Sequence, residues 1–269
     1  MPDRKKIIIM GATSGLGLRL AEAYASLGWR VGVAGRKETP MKALKQMFPS
    51  QIEWMRIDVT KQDAPDKLMA LIAKVGGMDV YLHAAGIGYE NPDVDIAKDV
   101  ATVETNGVGF TRMVDAAYRF FKKMSEKGVK GQLAVISSVA GTKGIGRLAS
   151  YSATKKYQQT YIQALEQLAN EEKVKICFTD IRPGWVRTPL LEANRLYPMT
   201  MEMDEAVPLV MKAIAKRSRI AVIDRRWAVA VFFWRLIPGR LWVKLPITIS
   251  RPATPEQTEE DKVLAEATD

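Results

Sequence analysis

The sequence predicts an α/β fold, a doubly wound parallel sheet of about seven strands with helices on both faces. Three observations predict it. Short β-branched apolar runs recur along the chain between turn residues, as strands buried on both faces require. Stretches with helical spacing separate those runs. A glycine-rich turn joins the first run to the first helical stretch. The chain of 269 residues carries no internal repeat, Gly/Ser linker or second core pattern, so 1–252 reads as one domain. That domain includes a basic, Trp-rich extension from about 225, and an acidic tail follows at 253–269 that is expected to be mobile.

The first strand is expected at 6–10. The apolar run there is too short for a signal peptide, and Gly11 ends it. Gly11-Ala12-Thr13-Ser14-Gly15-Leu16-Gly17 then opens a helix at 15–27. Glycines let a backbone turn tightly against a pyrophosphate, and the helix N-terminus offers free N–H groups and partial positive charge. The second strand, 30–34, ends in Gly35-Arg36-Lys37, where an NAD site usually has a carboxylate for the ribose hydroxyls. A guanidinium fork suits a 2′-phosphate, so Arg36 and Lys37 predict a preference for NADP(H).

A helix at 41–48 leads to a third strand at 53–57, followed by Asp58 and Val59. Asp58 can accept from an adenine amino group or cap the strand end. A helix at 64–74 precedes the fourth strand at 80–83, which ends in His83 and continues as Ala84-Ala85-Gly86. A long helix is expected at 106–127 and the fifth strand at 132–137. Ser138 stands just beyond it; its neighbour Ser137 reads as a packing residue.

Tyr151 and Lys155 fall four residues apart in a helical stretch, 148–170, and therefore on one face. A nearby ammonium favours phenolate, which suits Tyr151 to exchange a proton with an alcohol or carbonyl. The sixth strand is expected at 175–181, then Pro183-Gly184-Trp185-Val186-Arg187-Thr188, a helix at 204–216 and a last strand at 220–223.

The glycine turn, Asp58, Asn106, Ser138, Tyr151, Lys155 and Pro183-Gly184 stand in an order and spacing that resemble the short-chain dehydrogenase/reductase family over about 6–223. The resemblance implies a Rossmann-type domain that moves a hydride between nicotinamide and a ketone or secondary alcohol. It implies Tyr151 as acid/base, Lys155 lowering its pKa and bonding the nicotinamide ribose, and Ser138 holding the substrate oxygen. It implies Asn106 as a helix-kink residue that holds a relay water. Backbone from Pro183 through Gly184 and Val186, with Thr188, is implied to hold the carboxamide. His83-Ala84-Ala85-Gly86 takes the place of the family's usual Asn-Asn-Ala-Gly or Asn-Ala-Ala-Gly, and Met10 that of its usual Thr; neither departure touches the proton-transfer set. Relatives are often dimers or tetramers, here through 106–127 and 148–170.

Composition narrows the alternatives. One cysteine, Cys177, allows no internal disulfide, and one histidine, His83, leaves no His-rich metal site or Ser-His-Asp triad. No metal is expected, and His83 reads as structural. Net charge is +10, with −5 in 253–269 and so +15 on the rest. No nucleic-acid motif accompanies that charge, and the default compartment is the cytoplasm. Trp and Phe among Arg and Lys after 225 suit an element packed on the domain, a substrate lid or peripheral membrane contact. Segment 189–204, with Leu190, Leu191, Leu196, Tyr197, Met199, Met201 and Met203, hints at a lipophilic substrate. Two other readings stay open: a non-catalytic NADP(H)-binding redox sensor, and a membrane-surface protein.

Overall fold

In the computed structural model, residues 4–191, 195–247 and 250–252 are described. The tail at 253–269 lies outside the described residues. Strands and helices alternate from the start: β1 Lys6–Met10, α1 Gly15–Ser26, β2 Arg30–Gly35, α2 Glu38–Met47, β3 Ile52–Arg56, α3 Ala64–Val75 and β4 Val80–His83. The chain continues through α4 Ile96–Val103, α5 Phe110–Glu126, β5 Gly131–Ile136, α6 Ala149–Glu171 and β6 Ile176–Pro183. A two-residue strand, β7 Arg195–Leu196, precedes α7 Met203–Ala215 and β8 Ile220–Ile223. Then come α8 Arg225–Leu236, the single turn α9 Gly239–Trp242 and β9 Arg251–Pro252.

Seven strands form one parallel sheet in the order β3-β2-β1-β4-β5-β6-β8. Alternation along each strand feeds two cores. In β1, Ile7 and Ile9 join Leu20 of α1, Met41 of α2 and Val210 of α7 on one face. Ile8 and Met10 join Leu68 of α3, Phe110 of α5 and Ile162 of α6 on the other. Burial of apolar surface on both faces is what makes the parallel sheet stable. β1 and β4 are hydrogen-bonded neighbours, Met10 facing His83 in register, although five elements separate them in the chain. The strand order reverses there, and loops leaving the strand ends open a crevice.

Two features depart from the expected elements. A helix, α4, occupies 96–103, capped by Asp95, whose side chain accepts from Ala97 N at 2.8 Å. The helix expected at 106–127 becomes a π-helical turn, Glu104–Gly109, between α4 and α5.

Candidate active site

The glycine turn comes into contact with the loop after β4. Gly11 has φ of +96°, and a Cβ there would lie 2.4 Å from the Ala85 nitrogen. A Cβ on Gly17 would lie 2.2 Å from the Gly11 carbonyl oxygen. These glycines bring α1's first turn against the end of β1, leaving Thr13, Ser14, Gly15 and Leu16 on the wall of a cavity of about 820 Å³. Gly35, Arg36 and Lys37 from the end of β2 line the same cavity, as do Asp58, Val59, Ala84, Ala85 and Gly86. Asp58 Oδ1 accepts from Thr60 N at 3.0 Å and Thr60 Oγ1 at 2.8 Å. Burial works to raise its pKa, but those bonds and the charges of Arg36 and Lys61 hold it below the usual carboxylate range.

Ser138, Tyr151 and Lys155 come together where β5 ends and α6 begins. Ser138, buried and extended, accepts from Ala140 N at 3.1 Å, and its carbonyl accepts from Gln159 Nε2 at 2.7 Å. Tyr151 faces it from the first turn of α6, and Gly88 supplies the room: a Cβ on Gly88 would lie 2.4 Å from the Tyr151 ring. Lys155 Nζ lies 5.6 Å from that ring's centroid. It donates to the Ile136 carbonyl at 3.0 Å and to Gln158 Oε1 at 3.2 Å. Burial lowers the Lys155 pKa to about 8, against the opposing charge of Asp180. Burial raises the Tyr151 phenol, and the Ser138 hydroxyl partly offsets this. The sequence suggested a phenol lowered by its neighbouring ammonium; here the loss of water around the ring outweighs every other influence.

Asn106 lies within the π-helical turn, buried and saturated. Its Oδ1 accepts from Ile87 N at 2.9 Å, and its Nδ2 donates to the Ile87 carbonyl at 2.7 Å and to Thr154 Oγ1 at 3.2 Å. Its own carbonyl, released from regular helix bonding, accepts from Gln158 Nε2 at 2.9 Å. Asn106 therefore stands behind the cavity wall, one amide away from Lys155. Of the other candidate residues, Pro183, Gly184, Val186 and Thr188 line the cavity with Tyr151, Lys155 and Ser138.

Beneath the site, Asp180 on β6 accepts from Ser137 Oγ and from Arg182 Nε and Nη2, each arginine contact at 2.6 Å. Ser137 is thus a structural partner. His83 is buried, with Nδ1 3.0 Å from the Tyr81 hydroxyl. Burial first, and the Lys155 ammonium second, push its pKa down to about 3, with only a backbone bond to Ala85 opposing.

The far end of the cavity is aromatic. Trp185 packs on Tyr197 with ring centroids 4.7 Å apart, and Trp227 and Trp234 of α8 meet at 5.7 Å. Trp227 Nε1 donates to the Met199 carbonyl at 3.3 Å. Within 189–204, Leu190, Leu191, Tyr197 and Met199 reach the cavity. Met201 and Met203 do not; they pack into the core beside α7, because the Met201 backbone is tied to Trp185 and Arg187. Of the alternatives the sequence left open for the Trp-rich segment, the structure puts Trp227 and Trp234 on the cavity wall; their spacing of seven, with Ala230 and Val231 between, fits one helix face.

The sequence profile of the family described as "short chain dehydrogenase" matches residues 5–197. An uncharacterized oxidoreductase of Myxococcus xanthus is 33% identical over 232 residues, 83% of this chain and 88% of that protein. The chain belongs to the short-chain dehydrogenase family. Among solved structures, a 3-ketoacyl-(acyl-carrier-protein) reductase from Brucella melitensis complexed with NADH superposes with a TM-score of 0.71. It is 23% identical and covers 82% of this chain and 96% of its own. A variant actinorhodin polyketide ketoreductase with NADPH gives 0.62 at 27% identity, over 71% of this chain and 74% of its own. As an oxidoreductase of this family, the short-chain dehydrogenase described here pairs a glycine-turn cleft with an aromatic chamber.

Proposed function

We propose that this dehydrogenase uses NADP(H) to interconvert a lipophilic ketone and its secondary alcohol, with Tyr151 as general acid and base. One observation carries the reading: a single cavity has Arg36 and Lys37 at one end, Trp185, Trp227 and Trp234 at the other, and Ser138, Tyr151 and Lys155 between. The residues fit the coenzyme. The Gly11–Gly17 approach leaves a backbone cradle that a Cβ would fill, at the start of α1. That cradle would hold the pyrophosphate, Arg36 and Lys37 a 2′-phosphate, and Asp58 and Val59 the adenine. Pro183, Gly184, Val186 and Thr188 would hold the carboxamide, and Ala84 to Gly86 would flank the nicotinamide ribose. When bound, the coenzyme supplies the hydride in reduction and takes it up in oxidation.

The chain's own part is the proton. In reduction, Ser138 and Tyr151 hydroxyls polarise the carbonyl as negative charge grows on its oxygen. Tyr151 Oη gives its proton to that oxygen, and the Lys155 ammonium stabilises the phenolate left behind. Oxidation runs the same transfer backwards. Asn106 supports the set from behind, through Gln158. A redox sensor would have no use for a phenol and an ammonium held together in the cavity, which favours the enzyme reading. The test is NADPH oxidation over ketones graded in size and polarity. Turnover that rises with apolar bulk supports the proposal; no NADPH-dependent turnover with any of them overturns it.

Self-association belongs to the same reading. Val103, Val108 and Tyr157 are exposed around a shallow groove where α4, α5 and α6 meet, a surface a second copy would cover. Sedimentation velocity of the purified chain checks it, with a monomer at all concentrations as the contrary result.

A further inference from the structure

Helix α8 has two apolar stripes. Trp227, Ala230, Val231 and Trp234 face the domain; all but Val231 line the cavity, and Val231 packs with Trp227 beneath them. Val229, Phe232, Phe233 and Leu236 repeat the same three-and-four spacing on the opposite side. These four side chains are 58%, 61%, 57% and 64% exposed, far more than a helix lying on its own domain needs. The next segment extends the surface with exposed Leu241, Val243 and Leu245. Arg225, Arg235, Arg240 and Lys244 are exposed among them, and none has an ion-pair partner among the described residues. From 212 to 251 the sequence holds ten basic residues and one acidic residue, Asp224. That acid is already spent on α8, capping it and pairing with Arg226.

We propose that the outer face of α8 and the turn after it dock this protein on the surface of an anionic lipid bilayer. Apolar side chains alone would suit any hydrophobic partner. Their enclosure by cations unpaired among the described residues selects one with a negative surface and an apolar interior, which is the make-up of an interfacial helix. No helix among the described residues is long and apolar enough to cross a membrane, so the contact is peripheral. The inference rests on the proposed function in one respect. α8 is then the wall between bilayer and chamber, which brings the site to where lipophilic ketones partition.

Vesicle sedimentation without coenzyme or substrate tests the docking, so its outcome is independent of catalysis. The full chain should pellet with phosphatidylcholine–phosphatidylserine vesicles, far less with phosphatidylcholine alone, and less as salt rises. Phe232→Ser with Phe233→Ser should lower the partition coefficient about tenfold or more. Arg235→Glu with Arg240→Glu should abolish the preference for anionic lipid. Unchanged far-UV circular dichroism and melting would show that the variants fold. Failure of the full chain to pellet overturns the proposal. So does pelleting that the Phe232/Phe233 variant leaves intact. Pelleting that appears only after removal of 253–269 overturns it in favour of the acidic segment as occupant. Self-association that the Phe232/Phe233 variant disrupts, with no lipid binding, overturns it in favour of a second copy.

Discussion

Lys155 and Gln158, one helical turn apart on α6, share a buried hydrogen bond in which Lys155 Nζ donates to Gln158 Oε1 at 3.2 Å. The same Gln158 amide donates to the Asn106 carbonyl at 2.9 Å, so side chains alone link the π-helical turn to the ammonium. In the proposed mechanism reduction needs that ammonium charged, and burial has lowered its pKa to about 8. The rate of reduction should therefore hold below that pH and fall as pH rises through it. Gln158→Leu removes an acceptor from the charged form, so the fall should move to lower pH by about one unit. Gln158→Glu, placing a carboxylate there, should move it upward. A pH profile of kcat/KM for the three proteins checks this; a fixed position in all three defeats it.

Tyr151→Phe keeps the ring against Gly88 and deletes only the hydroxyl. Turnover should drop by about 10²–10⁴-fold, the usual contribution of a positioned acid/base. NADPH binding, followed by fluorescence titration, should stay near wild type. Parallel loss of binding would mean that the phenol holds the coenzyme instead of serving the chemistry.

Arg36→Asp replaces the exposed cation at the end of β2 with a carboxylate. A charge-assisted bond to a 2′-phosphate contributes about 1.5–3 kcal/mol. KM for NADPH should rise by roughly 10–100-fold, and NADH should become the better coenzyme. Comparison of kcat/KM for the two coenzymes decides it, and an unchanged ratio rules Arg36 out as the discriminating residue.

Asp180→Asn leaves the buried Arg182 guanidinium without its counter-charge. Breaking such a pair from one side costs about 3–5 kcal/mol, which urea unfolding should report as a lower midpoint with the slope unchanged. Asp180 also holds the Lys155 pKa up, so the surviving activity should decline at a lower pH than in wild type. A variant as stable as wild type would show that Arg182 finds water or another acceptor.

All seven strands of the parallel sheet were legible in the sequence, because each is a short, largely apolar run between turn residues, and the five inner strands are buried on both faces. β1, β4 and β8 begin and end where the sequence put them, and the other four shift by one or two residues. Helix α4 was not legible. No element was expected at 96–103, although Ile96, Val100 and Val103 stand at helical spacing; in the structure that stripe is exposed and does not join the core. The structure brings the glycine turn, Ser138, Tyr151 and Lys155, all singled out by their order in the chain, to one cavity. Met201, read with the pocket segment, faces the core instead, since an apolar residue looks the same in a core and in a chamber wall. Only the fold decides which way each faces.

Gly184 and Trp227 are in contact so tight that a single added carbon on the glycine would lie 2.0 Å from the indole nitrogen. One partner belongs to the loop after β6, the other to the cover of the aromatic chamber. Whoever remodels Trp227 to admit bulkier molecules will therefore disturb the Gly184 loop as well, the one the proposed function assigns to the coenzyme. Relatives that diverge in appetite at this position should be found to have drifted in nucleotide grip too, as one inherited trait.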